Sequence, residues 1–230
     1  MRRPVLIAAA VTALSLAIGA WALDRWAPPQ DLPWKPFDLD QPIGIATHFK
    51  LARIAADDRA CRAALQAGGV GFESLPPRRE GECSVLDGVK LDEGPAPLSP
   101  SRPMMSCGQA LAFAVWERHA VQPAARRLLD VQVVRIEHLG TYNCRPIRGE
   151  TSQLSQHAFA NAIDVAAFDL ADHRQVSVLK DYRDPGPPGV FLRRVHREGC
   201  RVFGHSLGPD FNADHRNHLH LDMGPWGWCR

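Results

Sequence analysis

The chain has 230 residues, of which 45% are hydrophobic and 23% charged, with a formal net charge of +2. Such a composition can build a core in one large domain or two small ones, and it excludes a disordered or collagen-like chain. A near-neutral balance without a dense basic run also excludes nucleic acid as the expected partner.

The N-terminal stretch, "MRRPVLIAAAVTALSLAIGAWALDRW", places Arg2 and Arg3 before an uncharged run from Pro4 to Leu23. This is the layout of an export signal, with Ala20-Trp21-Ala22 as a weak cleavage site. The run also approaches the ~20 apolar residues that span a bilayer, so an uncleaved inner-membrane anchor is the alternative. Residues 1–26 are assigned to a signal peptide or membrane anchor. Either places the remainder in the periplasm or another extracytoplasmic space, soluble or anchored. Residues 27–48, rich in Pro and Trp without periodicity, are expected to form a tether whose Trp34 and Phe37 can dock on the surface, and residues 49–230 a domain.

Within that domain, "HFKLARIAADDRACRAALQAG" has helical spacing and closes at Gly68-Gly69. Residues 68–103 are rich in Gly and Pro, with short strands expected at 83–86 and 89–91. A helix follows Ser106, a suitable N-cap, and Pro123 suits the first turn of another. "VQVVRIEHL", "AIDVAAFDL", "QVSVLKDY" and "NHLHLDM" read as strands, and "FLRRVHREGC" as a short helix closed by Gly199. N-terminal helices packed on a small antiparallel sheet make an α+β fold.

Six cysteines, Cys61, Cys83, Cys107, Cys144, Cys200 and Cys229, contain no C-x-x-C pair. In an exported chain an even count reads as a disulfide framework. Cys200–Cys229 is the preferred pair, because it would pin a C-terminal tail that otherwise frays.

Two polar clusters carry the chemistry. In "ADHRNHLHLDMG" three histidines, His215, His218 and His220, stand among the apolar residues Leu219, Leu221 and Met223, with Trp226 beyond. His218 and His220 are two apart, so on a strand they share a face. In "SQHAFANAIDVAAF", His157 and Asp164 are seven apart. A straight strand would point them to opposite faces, and a straight helix would separate them by ~10 Å along its axis. They can meet at one metal only if the chain bends between them, with His157 on the entering loop and Asp164 on the strand. His157, Asp164 and one histidine of the pair would then form the ligand set of a catalytic zinc with an open position. The remaining histidine would be free to take a proton. Other histidines (His48, His119, His138, His173, His196 and His205) read as core or surface residues. Ser155 next to His157 does not make a nucleophilic triad, since adjacency orients nothing.

The pattern S-x-H-x-x-x-x-A-x-D followed by a distant H-x-H resembles the zinc peptidases of the lysostaphin, D-Ala-D-Ala carboxypeptidase and murein endopeptidase group. From about Leu51 to Arg230 the chain resembles the bacterial extensin-like C-terminal domain family, chiefly in "YNCRPI", "SQHAFANAID" and "HRNHLHLDMG". The resemblance implies Zn2+ held by His157, Asp164 and His220, with His218 as base or supporting residue. It implies Arg145, with Arg148 as runner-up, at a substrate carboxylate, and it matches His215 and Ser155 to positions around the site. It further implies a zinc metallopeptidase acting on peptidoglycan peptides as endopeptidase or carboxypeptidase. The alternative is a non-catalytic wall-binding or scaffolding module that keeps zinc structurally. One departure stands out: Ala160 stands where the family commonly has Gly, a residue that supplies a positive φ or a close backbone approach, so a slightly different bend is expected.

Overall fold

The computed structural model describes residues 2–92, 96–150, 152–225 and 227–230, so Trp226 lies outside the described residues. Helix α1 (Arg2–Trp26) is followed by a short turn and then by α2 (Thr47–Ala55) and α3 (Asp58–Ala67). The single helix expected before Gly68 is thus two. Asp57 breaks it, because its extended backbone lets the side chain accept from Ala60 N and cap a new start. Residues 27–48 are no loose tether either. Leu32 and Leu39 are buried, and Phe37 packs against the core.

The Gly/Pro-rich stretch holds more strand than its sequence suggests. Strands β1 (Phe72–Ser74), β2 (Arg78–Glu80), β3 (Cys83–Val85), β4 (Gly88–Leu91), β5 (Leu98–Ser99) and β6 (Met104–Ser106) follow one another. They form a three-stranded sheet, β1-β4-β6, and a β2-β3 pair, while β5 joins the main sheet. Ser106 caps α4 (Cys107–Trp116) by accepting from Gln109 N, as expected. A π-helical turn, Glu117–Val121, leads into α5 (Gln122–Leu128) with Pro123 in its first turn.

The main sheet is built from β7 (Val133–His138), β8 (Ala162–Leu170), β9 (Gln175–Ser177), β10 (His205–Leu207) and β11 (Leu219–Asp222). Its order is β10-β11-β8-β7-β5, with β9 also on β8. Every pairing is antiparallel except β5 with β7, which is parallel and departs from the all-antiparallel expectation. "QVSVLKDY" is a strand only through Ser177. It then turns into α6 (Val178–Asp181), closed by Ser177 N donating to the Asp181 carboxylate. Helix α7 (Pro187–Gly199) starts earlier than its apolar spacing indicates, with Pro in its first turn.

One sheet face buries Ile163, Val165, Leu219 and Leu221 in the core that the helices complete. Trp116 lies at its centre, fully buried, tilted or edge-on against Phe113, Phe168 and Phe203, with its Nε1 donating to Val195 O. The side-chain period of two sends Asp164, His220 and Asp222 to the opposite face. Between Val165 and Ala167 strand β8 carries one residue more than β7 opposite it, a bulge beside Asp164.

All six cysteines are paired, as Cys61–Cys107, Cys83–Cys144 and Cys200–Cys229. The preferred bridge is therefore present. The last one holds the tail beside β10, where Ser206 N donates to Trp228 O and Gly208 N to Arg230 O. The fold is α+β, with helices, small sheets and three disulfides.

Candidate metal centre

The two clusters separated in sequence meet on the face of the main sheet opposite Ile163, Val165, Leu219 and Leu221. His157 sits in a 3-10 turn, Gln156–Phe159, whose N-cap is Ser155. Ala160 then takes a left-handed conformation, φ 51° and ψ 26°, and the chain enters β8 two residues later. This is the bend that the spacing of seven demanded. This left-handed backbone costs an alanine steric strain that a glycine would not meet. Neighbouring bonds hold the turn: Ser106 N donates to Ala160 O, Met223 N to Asn161 O, and Asn161 Nδ2 to Gln156 Oε1.

Three donor side chains converge. Asp164 and His220 are direct register partners, with His220 Nδ1 at 2.8 Å from Asp164 Oδ1. His157 Nε2 lies 3.2 Å from Asp164 Oδ2 and 3.3 Å from His220 Nδ1. The three donor atoms all fall within 4.8 Å of one another, and each side chain is largely buried. His215 and His218 stand just outside that group. His218 Nε2 is 3.5 Å from Asp164 Oδ1, and the His215 ring centroid is 5.1 Å from His218 and 5.8 Å from His220.

The outer bonds decide which nitrogens face inward. His157 Nδ1 lies 3.2 Å from the Thr141 carbonyl, which only accepts, so Nδ1 donates there and Nε2 is the nitrogen turned toward Asp164 and His220. His220 Nε2 donates to Asp222 Oδ2 at 2.8 Å, leaving Nδ1 on the inside. Asp222 also accepts from His205 Nδ1 at 2.9 Å and from Gly224 N at 2.8 Å. Ligand histidines whose second nitrogen donates to a carbonyl or carboxylate are the usual support of a metal site. Two imidazoles and one carboxylate suit zinc, so the residues present fit the group.

Charge follows the same geometry. Burial raises the Asp164 carboxyl, yet hydrogen bonds from His157 and His220 outweigh it and hold it well below the usual carboxylate range. Burial lowers the His220 imidazole, but the carboxylates of Asp164 and Asp222 push it up to about 9. Burial likewise raises Asp222, which its two histidines bring down to about 2. His218 is lowered mainly by burial, and His215 is lowered to about 4 by burial and its two histidine neighbours. Both are neutral near pH 7. A metal ion here would displace a proton from His220, as ligand imidazoles must be neutral.

The predicted accessory residues are placed unevenly. Ser155 is buried and its Oγ accepts from His157 N, a capping role. Arg145 is exposed, its guanidinium donating to Pro146 O and its carbonyl accepting from Ser155 N. Arg148 pairs with Asp214, beside His215, at 2.6 Å. Among the described residues no contact joins either guanidinium to the three donors. The Cys83–Cys144 bridge and the bond from Asn143 N to His157 O hold this arginine-bearing loop beside the centre. Asp222 and His205 were missed. His205 is no filler, since it holds Asp222. A period-two reading of H-x-H-x-D was the available signal for Asp222, whereas nothing local marks His205.

The architecture is thus a disulfide-stapled α+β domain with a largely buried His/Asp/His group on one face of its main sheet. The family model described as Extensin-like protein C-terminus matches residues 59–230, and the chain belongs to that family. No curated protein and no solved structure matches the chain.

Proposed function

We propose that this protein is an exported zinc-dependent hydrolase that cleaves amide bonds in peptidoglycan stem peptides or their cross-links. The observation that carries the reading is the inward set of His157 Nε2, Asp164 and His220 Nδ1, each histidine fixed by an acceptor behind it. His157, Asp164 and His220 would hold the metal. When bound, zinc polarises a scissile carbonyl and makes water a nucleophile at neutral pH. His218 is neutral, and its Nδ1 donates to Asn217 Oδ1 at 3.0 Å. That bond leaves Nε2 facing Asp164 as the general base, free to take a proton from the attacking water and pass it to the leaving amine. Arg145, exposed on the adjacent loop, would meet a carboxylate of the substrate peptide, a role that rests on the resemblance to the zinc peptidases. Peptidoglycan as substrate rests on that resemblance and on an extracytoplasmic placement, supported by the apolar N-terminal helix and the disulfides.

The nearness of His215 to His218 and His220 favours one second reading, a structural zinc module with a fourth protein ligand. The test is incubation of the purified protein with defined muropeptides, with and without chelator, alongside zinc analysis. Chelator-sensitive release of peptide or D-amino acid is the expected result. Stoichiometric zinc without any cleavage would replace hydrolase by structural module, and absence of zinc binding would remove both readings.

A further inference from the structure

We propose that helix α1 stays on the mature chain as a membrane anchor, and that the segment behind it seats the domain directly on the outer face of that bilayer. This does not depend on the metal reading.

The helix is longer than a leader requires. Its uncharged run from Pro4 to Leu23 covers ~20 residues, or ~30 Å at about 1.5 Å each, which matches a hydrocarbon core. A leader's apolar region needs only ~7–15 residues. The weak cleavage site, Ala20-Trp21-Ala22, is wound into this helix rather than lying in an extended segment, since the helix continues to Trp26. Opening it would unpair backbone groups at the edge of the lipid, where each is costly. The helix is apolar all round, with Leu6, Val11, Leu14 and Ile18 each more than half exposed, and none of the span is buried in the protein. A partner helix would need a single stripe; an all-round apolar surface needs lipid.

The membrane–water boundary is marked next. Trp21 and Trp26 pack edge to face at 5.3 Å, and both are exposed, as is Trp34. Tryptophans concentrate at headgroup depth, and the exposed Arg25 in the last turn of the same helix supplies a cation for lipid phosphates. Trp34 Nε1 donates to Asp24 Oδ1 at 2.7 Å and Lys35 Nζ pairs with the same oxygen at 2.7 Å, folding the neck back onto the helix end.

The neck is also part of the domain. Lys50 Nζ donates to Pro29 O at 2.6 Å, Ile45 N to Asp31 Oδ1 at 2.7 Å, and Leu32 and Leu39 are buried. No free spacer separates bilayer from domain, so the sheet carrying His157, Asp164 and His220 works at a short, fixed height above the membrane.

The full chain with a C-terminal tag, expressed in a Gram-negative host, tests retention. It should remain in the membrane pellet after alkaline carbonate extraction, with an intact mass that includes residues 1–26. A soluble periplasmic chain beginning near Leu23 would overturn the proposal. Reconstitution into vesicles of brominated phosphatidylcholine tests seating, because bromine quenches nearby tryptophan. Trp34→Phe should lose part of the quenched fluorescence; an unchanged quenched fraction would show that the neck stands away from the bilayer and overturn seating.

Discussion

His220 and Asp164 face each other across strands β11 and β8 as register partners, Nδ1 to Oδ1 at 2.8 Å, though 56 residues separate them in the chain. The pairing sets His220 between two carboxylates, since Asp222 takes its other nitrogen at 2.8 Å. One face of the ring's surroundings therefore points a donor atom inward while the other is anchored outward. Four measurements follow from this arrangement and from the bonds around it.

His220→Ala should abolish zinc binding and turnover together. His218→Ala should keep most of the zinc while turnover falls by ~10²–10⁴-fold, the usual cost of losing a general base. His218 lies just before β11 and His220 within it, and both rings approach Asp164 Oδ1, so a general folding defect does not explain a difference between them. Elemental analysis beside muropeptide turnover reads it. Equal loss of zinc in both variants would make His218 a ligand.

Asp222→Asn keeps the size of the side chain but removes the charge that orients His220. Zinc affinity should fall by roughly 10–100-fold, the typical effect of losing such a partner. Circular dichroism should be unchanged, because the backbone pairing of β11 with β8 and β10 does not involve that carboxylate. An unaltered zinc Kd would mean that Asp222 serves only the Gly224 turn and His205.

Replacing both Cys200 and Cys229 by Ser removes a bridge that closes a 29-residue separation. Bridges of this kind stabilise by ~2–4 kcal/mol. Hydrogen exchange should speed first in the 227–230 tail and at Ser206 and Gly208, whose amides donate to it. If exchange at these amides is unchanged, the tail is held by its backbone bonds rather than by sulfur.

His196 supplies a pH dependence remote from the candidate centre. Its Nε2 donates to Ser206 O at 3.1 Å, its Nδ1 lies 2.8 Å from the Tyr182 hydroxyl, and the ring is buried. Burial lowers its pKa from the ordinary 6.5. The unfolded chain thus binds a proton that the folded chain refuses. The stability involved is present above pH 6.5 and is lost as pH falls below it toward the folded value. Urea midpoints from pH 7.5 to 5 should fall more steeply for the wild type than for His196→Gln, and parallel slopes would contradict this role.

Local chemistry, read from the chain alone, determined a good deal. Ser106 as a cap, the shared face of His218 and His220, and the need for a bend between His157 and Asp164 all rest on interactions within a few residues, whose geometry does not depend on the rest of the fold. The oxidised cysteines were expected from their even count behind an N-terminal stretch laid out like an export signal. Asp57 was legible in principle, because a capping aspartate inside a helical pattern marks a break. What only the tertiary structure decided is long-range. The register of β11 on β8 brought His220 to Asp164, the β10 strand brought His205 to Asp222, and burial of Leu32 and Leu39 turned an expected tether into part of the domain. These depend on which distant backbone groups pair and which apolar surfaces meet, and a short window of sequence has no period that encodes either. Ala160 lies between the two cases: the bend required a left-handed residue, and only the surrounding bonds from Ser106 and Met223 hold an alanine there.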